Sequence, residues 1–151
     1  MSKVNINISI PGDSDGFVSF ECPYCEMQFK LSASDYTEHE PEMVELYCPY
    51  CGLTGNRDTF YTKEQVEHFA NIAQNYRAEQ IDKMLSDFSK KSNSKYLKVK
   101  HTPAKKQAVL ELMSTETEEE IFQCSLCENS QKVFYASGRA KIYCAYCGVD
   151  V

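Results

Sequence analysis

The chain of 151 residues has no tryptophan, so any core must come from its eight phenylalanines, ten tyrosines and aliphatic side chains. No run approaches the roughly 20 apolar residues that a membrane-spanning helix needs, so no membrane association is expected. The opening stretch MSKVNINISI alternates polar and apolar residues. It lacks the basic patch and apolar run of a secretory leader, which predicts a cytoplasmic location. Glycine is sparse, at six residues, and neither a Gly-rich phosphate loop nor a nucleophile elbow occurs. The three histidines, His39, His68 and His101, are scattered. His39 precedes a C-x-x-C pair, as in zinc deaminases, but Pro41 stands where their glutamate is needed and Pro49 lies inside the pair. Asp13 and Asp15 in PGDSDG lack the later ligands of a calcium loop and read as a turn. These absences predict a protein that is not an enzyme and takes no small-molecule substrate.

Cysteine is what the chain has in excess. All eight fall in four C-x-x-C pairs: Cys22/Cys25, Cys48/Cys51, Cys124/Cys127 and Cys144/Cys147. Disulfides rarely persist in a reducing compartment, so such pairs read as metal ligands. The pairs are also repeated. Phe20–Cys25, FECPYC, aligns with Phe122–Cys127, FQCSLC; YCPYCG from Tyr47 aligns with YCAYCG from Tyr143. Between pairs lie 22 residues in the first copy and 16 in the second, and the excess is assigned to an acidic loop around DYTEHEPE, 35–42. The chain reads as two modules of one kind. A C-x-x-C turn places two thiolates side by side with backbone N–H groups turned toward them. Two facing turns give a tetrahedral S₄ set, which suits Zn²⁺. Gly52 and Gly148, each after a second cysteine, permit the positive φ that this turn requires. The expected cofactors are two Zn²⁺, one held by Cys22, Cys25, Cys48 and Cys51, the other by Cys124, Cys127, Cys144 and Cys147.

These motifs, FECPYC with LYCPYCG and FQCSLC with IYCAYCG, resemble the zinc ribbon of transcription factor IIB type, found alone in many small bacterial proteins. The resemblance covers about 30 residues per module. It implies zinc, a three-stranded antiparallel ribbon and binding to protein or nucleic acid. Glu26 and Glu128 depart from the pattern, standing where a glycine would follow the first pair. The cyclin-like repeats of the transcription factor are absent, so its role in initiation is not implied. Rubredoxin also writes C-P-x-C-G around one iron, but lacks a long helix and has both glycines. Four cysteines per metal leave no open coordination position, so the sites are expected to be structural.

Period-two alternation predicts strands over 3–10 (Val4, Ile6, Ile8, Ile10), over 27–31 (Met27, Phe29, Leu31), near Val44 and Leu46, over 97–100 (Leu97, Val99) and at Val133 and Tyr135. Between the modules, Thr62 and Gln65 form a T-x-x-Q capping box. Val66, Phe69, Ala73, Tyr76, Ile81, Met84, Leu85 and Phe88 then recur at helical spacing until about Lys90. The fold expected is α+β: two small zinc ribbons joined by a long amphipathic helix, in consecutive segments 1–61, 62–94 and 95–151.

Charge alternates in blocks. Residues 1–62 carry ten acids and three bases, whereas 89–110 carry seven lysines and no acid. Two readings of function follow. In the first, the protein is an adaptor, or an accessory or inhibitory subunit, of a larger assembly. Its surfaces are the 63–90 helix, which docks on a protein partner or pairs in a homodimer, and Tyr24, Tyr50 and Tyr146 at the knuckle tips. In the second, Lys90, Lys91, Lys95, Lys98, Lys100, Lys105 and Lys106 neutralise the phosphates of a nucleic acid, with Tyr96 interleaved for stacking. The absence of arginine from that segment removes the residue best suited to bidentate base readout.

Overall fold

The computed structural model describes residues 5–92, 96, 98–114, 116, 119–134 and 141–150. In chain order its elements are β1 (Phe17–Glu21), β2 (Gln28–Ser32), α1 (Ala33–His39), β3 (Glu45–Tyr47), β4 (Thr54–Asn56), a 3₁₀ turn (Arg57–Phe60), α2 (Lys63–Lys91), β5 (Glu120–Gln123) and β6 (Ser130–Val133). The fold is α+β: two ribbon modules, each carrying a tetracysteine cluster, joined in the chain by one long helix.

The four-stranded antiparallel sheet runs β1-β2-β6-β5, and β3 pairs with β4 in a second sheet. The resemblance implies a three-stranded ribbon in each repeat. What forms instead is a hairpin around the first cysteine pair of each repeat, β1–β2 and β5–β6, with β3–β4 around the second pair of the first repeat and a single bridge, Tyr143–Asp150, around that of the second. The hairpins β1–β2 and β5–β6 join edge to edge where β2 meets β6. Their register places Lys30 opposite Lys132. These lysines are equivalent, each lying five residues beyond the first cysteine pair of its repeat. The join is therefore a local two-fold between the copies. It recurs at the second knuckles. Tyr47 N–H donates to Ala145 O at 2.8 Å, and Tyr143 N–H to Pro49 O at 2.9 Å. The Tyr143 ring lies on Gly52 and the Tyr47 ring on Gly148, with 3.1 and 2.8 Å from a would-be Cβ to the nearest ring carbon.

Two compact units result: 1–65 with 112–151, and 66–111. Of the expected segments, 1–61 and 112–151 fall in one unit, so both repeats belong together, while 95–111 falls in the other unit with 66–94. Its core is aromatic and aliphatic, as the lack of tryptophan demands: Phe20, Phe29, Leu31, Leu46, Phe60 and Val133 are fully buried. Phe29 meets Phe60 edge-on at 6.1 Å, and Phe20 packs on Tyr36.

Expected strands form at 28–32 and 45–47, and Val133 ends β6. Three expectations fail. Residues 5–10 form no strand and join neither sheet; Val4 lies outside the described residues. Lys98–Lys100 are likewise not strand, and Leu97 and Tyr135 lie outside the described residues. The supposed acidic loop holds α1, capped by the Ser32 hydroxyl, which accepts from Asp35 N–H.

In the second unit, α2 carries a ladder of polar side chains at heptad spacing, all on one face. His68 Nδ1 meets Leu110 O at 2.8 Å, and Asn75 pairs with both the N–H and C=O of Gln107. Asp82 accepts from Ala104 N–H and meets His101 Nε2 at 3.0 Å, and Ser89 donates to Val99 O. Segment 98–111 is thereby strapped antiparallel along the helix. Five of its backbone groups, on Val99, Ala104, Gln107 and Leu110, are matched by helix side chains.

Candidate metal centres

Each cluster is assembled within one repeat. In the first, Cys22 Sγ lies 3.8 Å from Cys51 Sγ and Cys25 Sγ 3.6 Å from Cys48 Sγ. In the second, Cys124 to Cys147 is 3.6 Å and Cys127 to Cys144 is 3.5 Å. All sulfurs of a cluster fall within 4.8 Å of one another. A tetrahedron with metal–sulfur bonds of about 2.3 Å has edges of about 3.8 Å, so the sulfurs stand close to where a four-coordinate ion needs them.

One turn builds all four knuckles. The N–H of the first cysteine donates to the carbonyl five residues on, and the residue four positions on donates back to that cysteine's carbonyl. All eight bonds are 2.8–3.0 Å long. The residue closing this ring has positive φ at every knuckle: Gly52 at 71° and Gly148 at 73°, but also Glu26 at 58° and Glu128 at 61°. The glutamates that depart from the ribbon pattern thus adopt the left-handed conformation that glycine adopts more readily.

Amide hydrogens point at the sulfurs. Tyr24 and Tyr50 N–H donate to Cys22 and Cys48 Sγ at 3.4 Å, and Leu126 N–H donates to Cys124 Sγ at 3.4 Å. Burial pushes the thiols of Cys48 and Cys144 well above their ordinary range. It acts in the same sense on Cys124, but the Cys127 and Leu126 amides overcome it and bring that thiol down to about 7. The arrangement favours a bound cation, which would replace the protons of the buried thiols.

The knuckle tyrosines differ in placement. Tyr24 is 56 % exposed, with its hydroxyl donating to Thr54 O. Tyr50 is half-buried; its hydroxyl donates to Gln28 O and accepts from Phe134 N–H, tying the repeats together. The Tyr146 hydroxyl is buried, and its ring packs against His39. Tyr50 and Tyr146 are thus half-buried where the two repeats meet, and Tyr24 is the exposed member of the three.

Of the lysines, Lys106 pairs with Glu79 at 2.5 Å, while Lys90, Lys91, Lys98, Lys100 and Lys105 are exposed; Lys95 lies outside the described residues. Pattern reading missed a buried ionic cluster. Lys30 and Lys132 reach the same Asp13 Oδ2, at 3.1 and 2.8 Å, and Lys132 also meets Asp15 at 2.7 Å. Asp13 Oδ1 accepts from the N–H of Asp15 and Phe17. The only sequence signal was the turn PGDSDG itself. Among the described residues, no helix is long and apolar enough to cross a membrane. No family model, curated protein or solved structure matches the chain.

Proposed function

We propose that the protein is a non-catalytic zinc protein that acts as a protein-interaction adaptor or accessory subunit of a larger assembly. Each Cys₄ cluster holds one Zn²⁺, which supplies folding energy; with four protein ligands there is no position for substrate. The observation that supports docking is the surface of α2. Ile81, Met84, Leu85 and Phe88 recur at i, i+3, i+4 and i+7, yet Met84 is 71 % exposed and Phe88 57 %. The polar ladder holds the strap on an adjacent face, so this apolar stripe is left bare within its unit. It suits a protein partner or the same stripe of a second copy.

A second reading has its own support. Lys98, Lys100 and Lys105 project from the strap, and Tyr96 is 92 % exposed beside them. Such an arrangement can lie along a phosphate backbone and stack a base.

One pair of experiments separates the two. Fluorescence anisotropy with single- and double-stranded DNA and RNA is measured at two salt concentrations, and assembly size by light scattering with Met84→Glu/Phe88→Glu as control. The adaptor reading predicts no salt-sensitive nucleic-acid binding and an assembly lost in the double variant. Tight binding that weakens steeply with salt, and that disappears when the three lysines are neutralised, overturns it in favour of the second reading.

A further inference from the structure

The two clusters differ in a side-chain contact to sulfur. At the second, Asn129 Nδ2 donates to Cys127 Sγ at 3.5 Å. Aligned on the cysteines, the first repeat has Met27 at that position, and a thioether has no proton to donate. Asn129 is buried, and its Oδ1 lies 3.1 Å from His39 Nε2. His39 is the last residue of α1 and belongs to the other repeat. The same helix grips the second repeat elsewhere. Asp35 Oδ2 accepts the N–H of Ser130 at 2.9 Å, and the His39 ring sits 5.7 Å from that of Tyr146, which lies between Cys144 and Cys147. The residues that lengthen the first inter-cysteine loop thus form a helix that braces the second cluster.

We propose that α1 is a clamp for the second metal centre, in which His39 positions the Asn129 amide as a hydrogen-bond donor to the Cys127 sulfur. The proposal rests on the zinc reading above. A donor on a ligating sulfur stabilises its charged form, so the sulfur is protonated and released less readily. His39 is a positioning residue: by engaging Oδ1 it holds the amide with its NH₂ end toward the sulfur. The first centre has no such side-chain donor at the equivalent position. The clamp also makes the second centre depend on a segment of the first repeat that contains none of the cysteines.

The test uses the full chain, loaded with Zn²⁺ for chelator-driven release and with ¹¹³Cd²⁺ for NMR. Coupling to cysteine β-protons assigns each cadmium resonance to its centre. Asn129→Met copies the first repeat, His39→Ala removes the positioning group, and His39→Gln restores an N–H donor. Loss of such an outer contact weakens metal affinity about 10–100-fold. The expected result is faster release from the second centre in Asn129→Met and His39→Ala, with a shift of its cadmium resonance alone. His39→Gln moves both readouts back toward wild type. Unchanged release, or equal acceleration at both centres, overturns the clamp. A wild-type chain that takes up no zinc defeats the zinc reading itself, and is recognised before any variant is made.

Discussion

Asp13 pairs with two lysine side chains in an interior where only 1 % of its own side-chain surface meets solvent. Burial works to raise its carboxyl, but Lys132, the Phe17 amide and Lys30 overcome this and hold it far below the usual carboxylate range. Removing one partner of a buried ionic group strands the others, so Asp13→Ala should destabilise the zinc-loaded protein by about 3–5 kcal/mol in denaturant titration. The sign of the pH effect follows from the depressed folded pKa. The stabilisation is fully present above the unfolded carboxyl value of about 3.9 and is lost as pH falls below it. The stability gap between wild type and Asp13→Asn should therefore stay constant from about pH 8 to about pH 5, because Asp13 is ionised in both states throughout. A gap that closes within that range contradicts the assignment. Gly148 makes a second residue-scale case. A Cβ there combines a φ of 73° with a 2.8 Å approach to the Tyr47 ring, whereas at Gly16 φ is 81° but nothing lies within 4 Å. Gly148→Ala should cost more than Gly16→Ala, for which about 1 kcal/mol is expected from strain alone. The cysteines were legible in sequence because metal ligation demands that spacing. Lys30 was not. In Q-F-K-L-S it alternates as a solvent-facing residue should, and its partner Asp13 and counterpart Lys132 are distant in the chain.

At the scale of elements, α2 shows what local signals can carry. Thr62 N–H donates to Gln65 Oε1 at 3.0 Å and Gln65 N–H to Thr62 Oγ1 at 3.2 Å, the reciprocal box that T-x-x-Q predicts. Gln65 Nε2 also donates to Ser19 O on the outer edge of β1. Thr62→Ala should cost about 0.5–2 kcal/mol, and Gln65→Ala should cost more, since it also leaves the Ser19 carbonyl without that donor. Chemical denaturation followed by circular dichroism measures both. The strap was illegible for a physical reason. Its backbone is paired by side chains of His68, Asn75, Asp82 and Ser89, residues that a helical wheel assigns to the polar face. Asn75→Ala should therefore accelerate hydrogen exchange at the Gln107 amide while leaving the amides of α2 protected. Residues 5–10 mark the opposite failure: alternation makes a strand possible, but a strand also needs hydrogen-bonded pairing with a neighbour, and these residues join neither sheet.

At the scale of the whole molecule, the repeats are not independent beads. The sheet is continuous across β2 and β6, and each second knuckle supports the tyrosine of the other repeat. The repeat itself was legible from FECPYC and FQCSLC; its internal two-fold was not, because nothing local in either copy records the pairing of Lys30 with Lys132. Folding and metal binding should therefore be coupled across the unit. Cys51→Ser should lower the thermal stability of both repeats in one transition, instead of melting the first alone. Zinc uptake should also release protons, since burial raises the Cys48 and Cys144 thiols. Apparent affinity should therefore fall as pH is lowered.

The central claim is that two Cys₄ centres each hold one zinc ion in a single folded body. Native mass spectrometry with elemental analysis, on protein purified without added metal, tests it most directly. The account predicts two zinc ions per chain, and loss of one or both when a knuckle cysteine such as Cys51 or Cys147 is changed to serine. A chain that folds with its eight cysteines metal-free, or that carries iron in place of zinc, would contradict it.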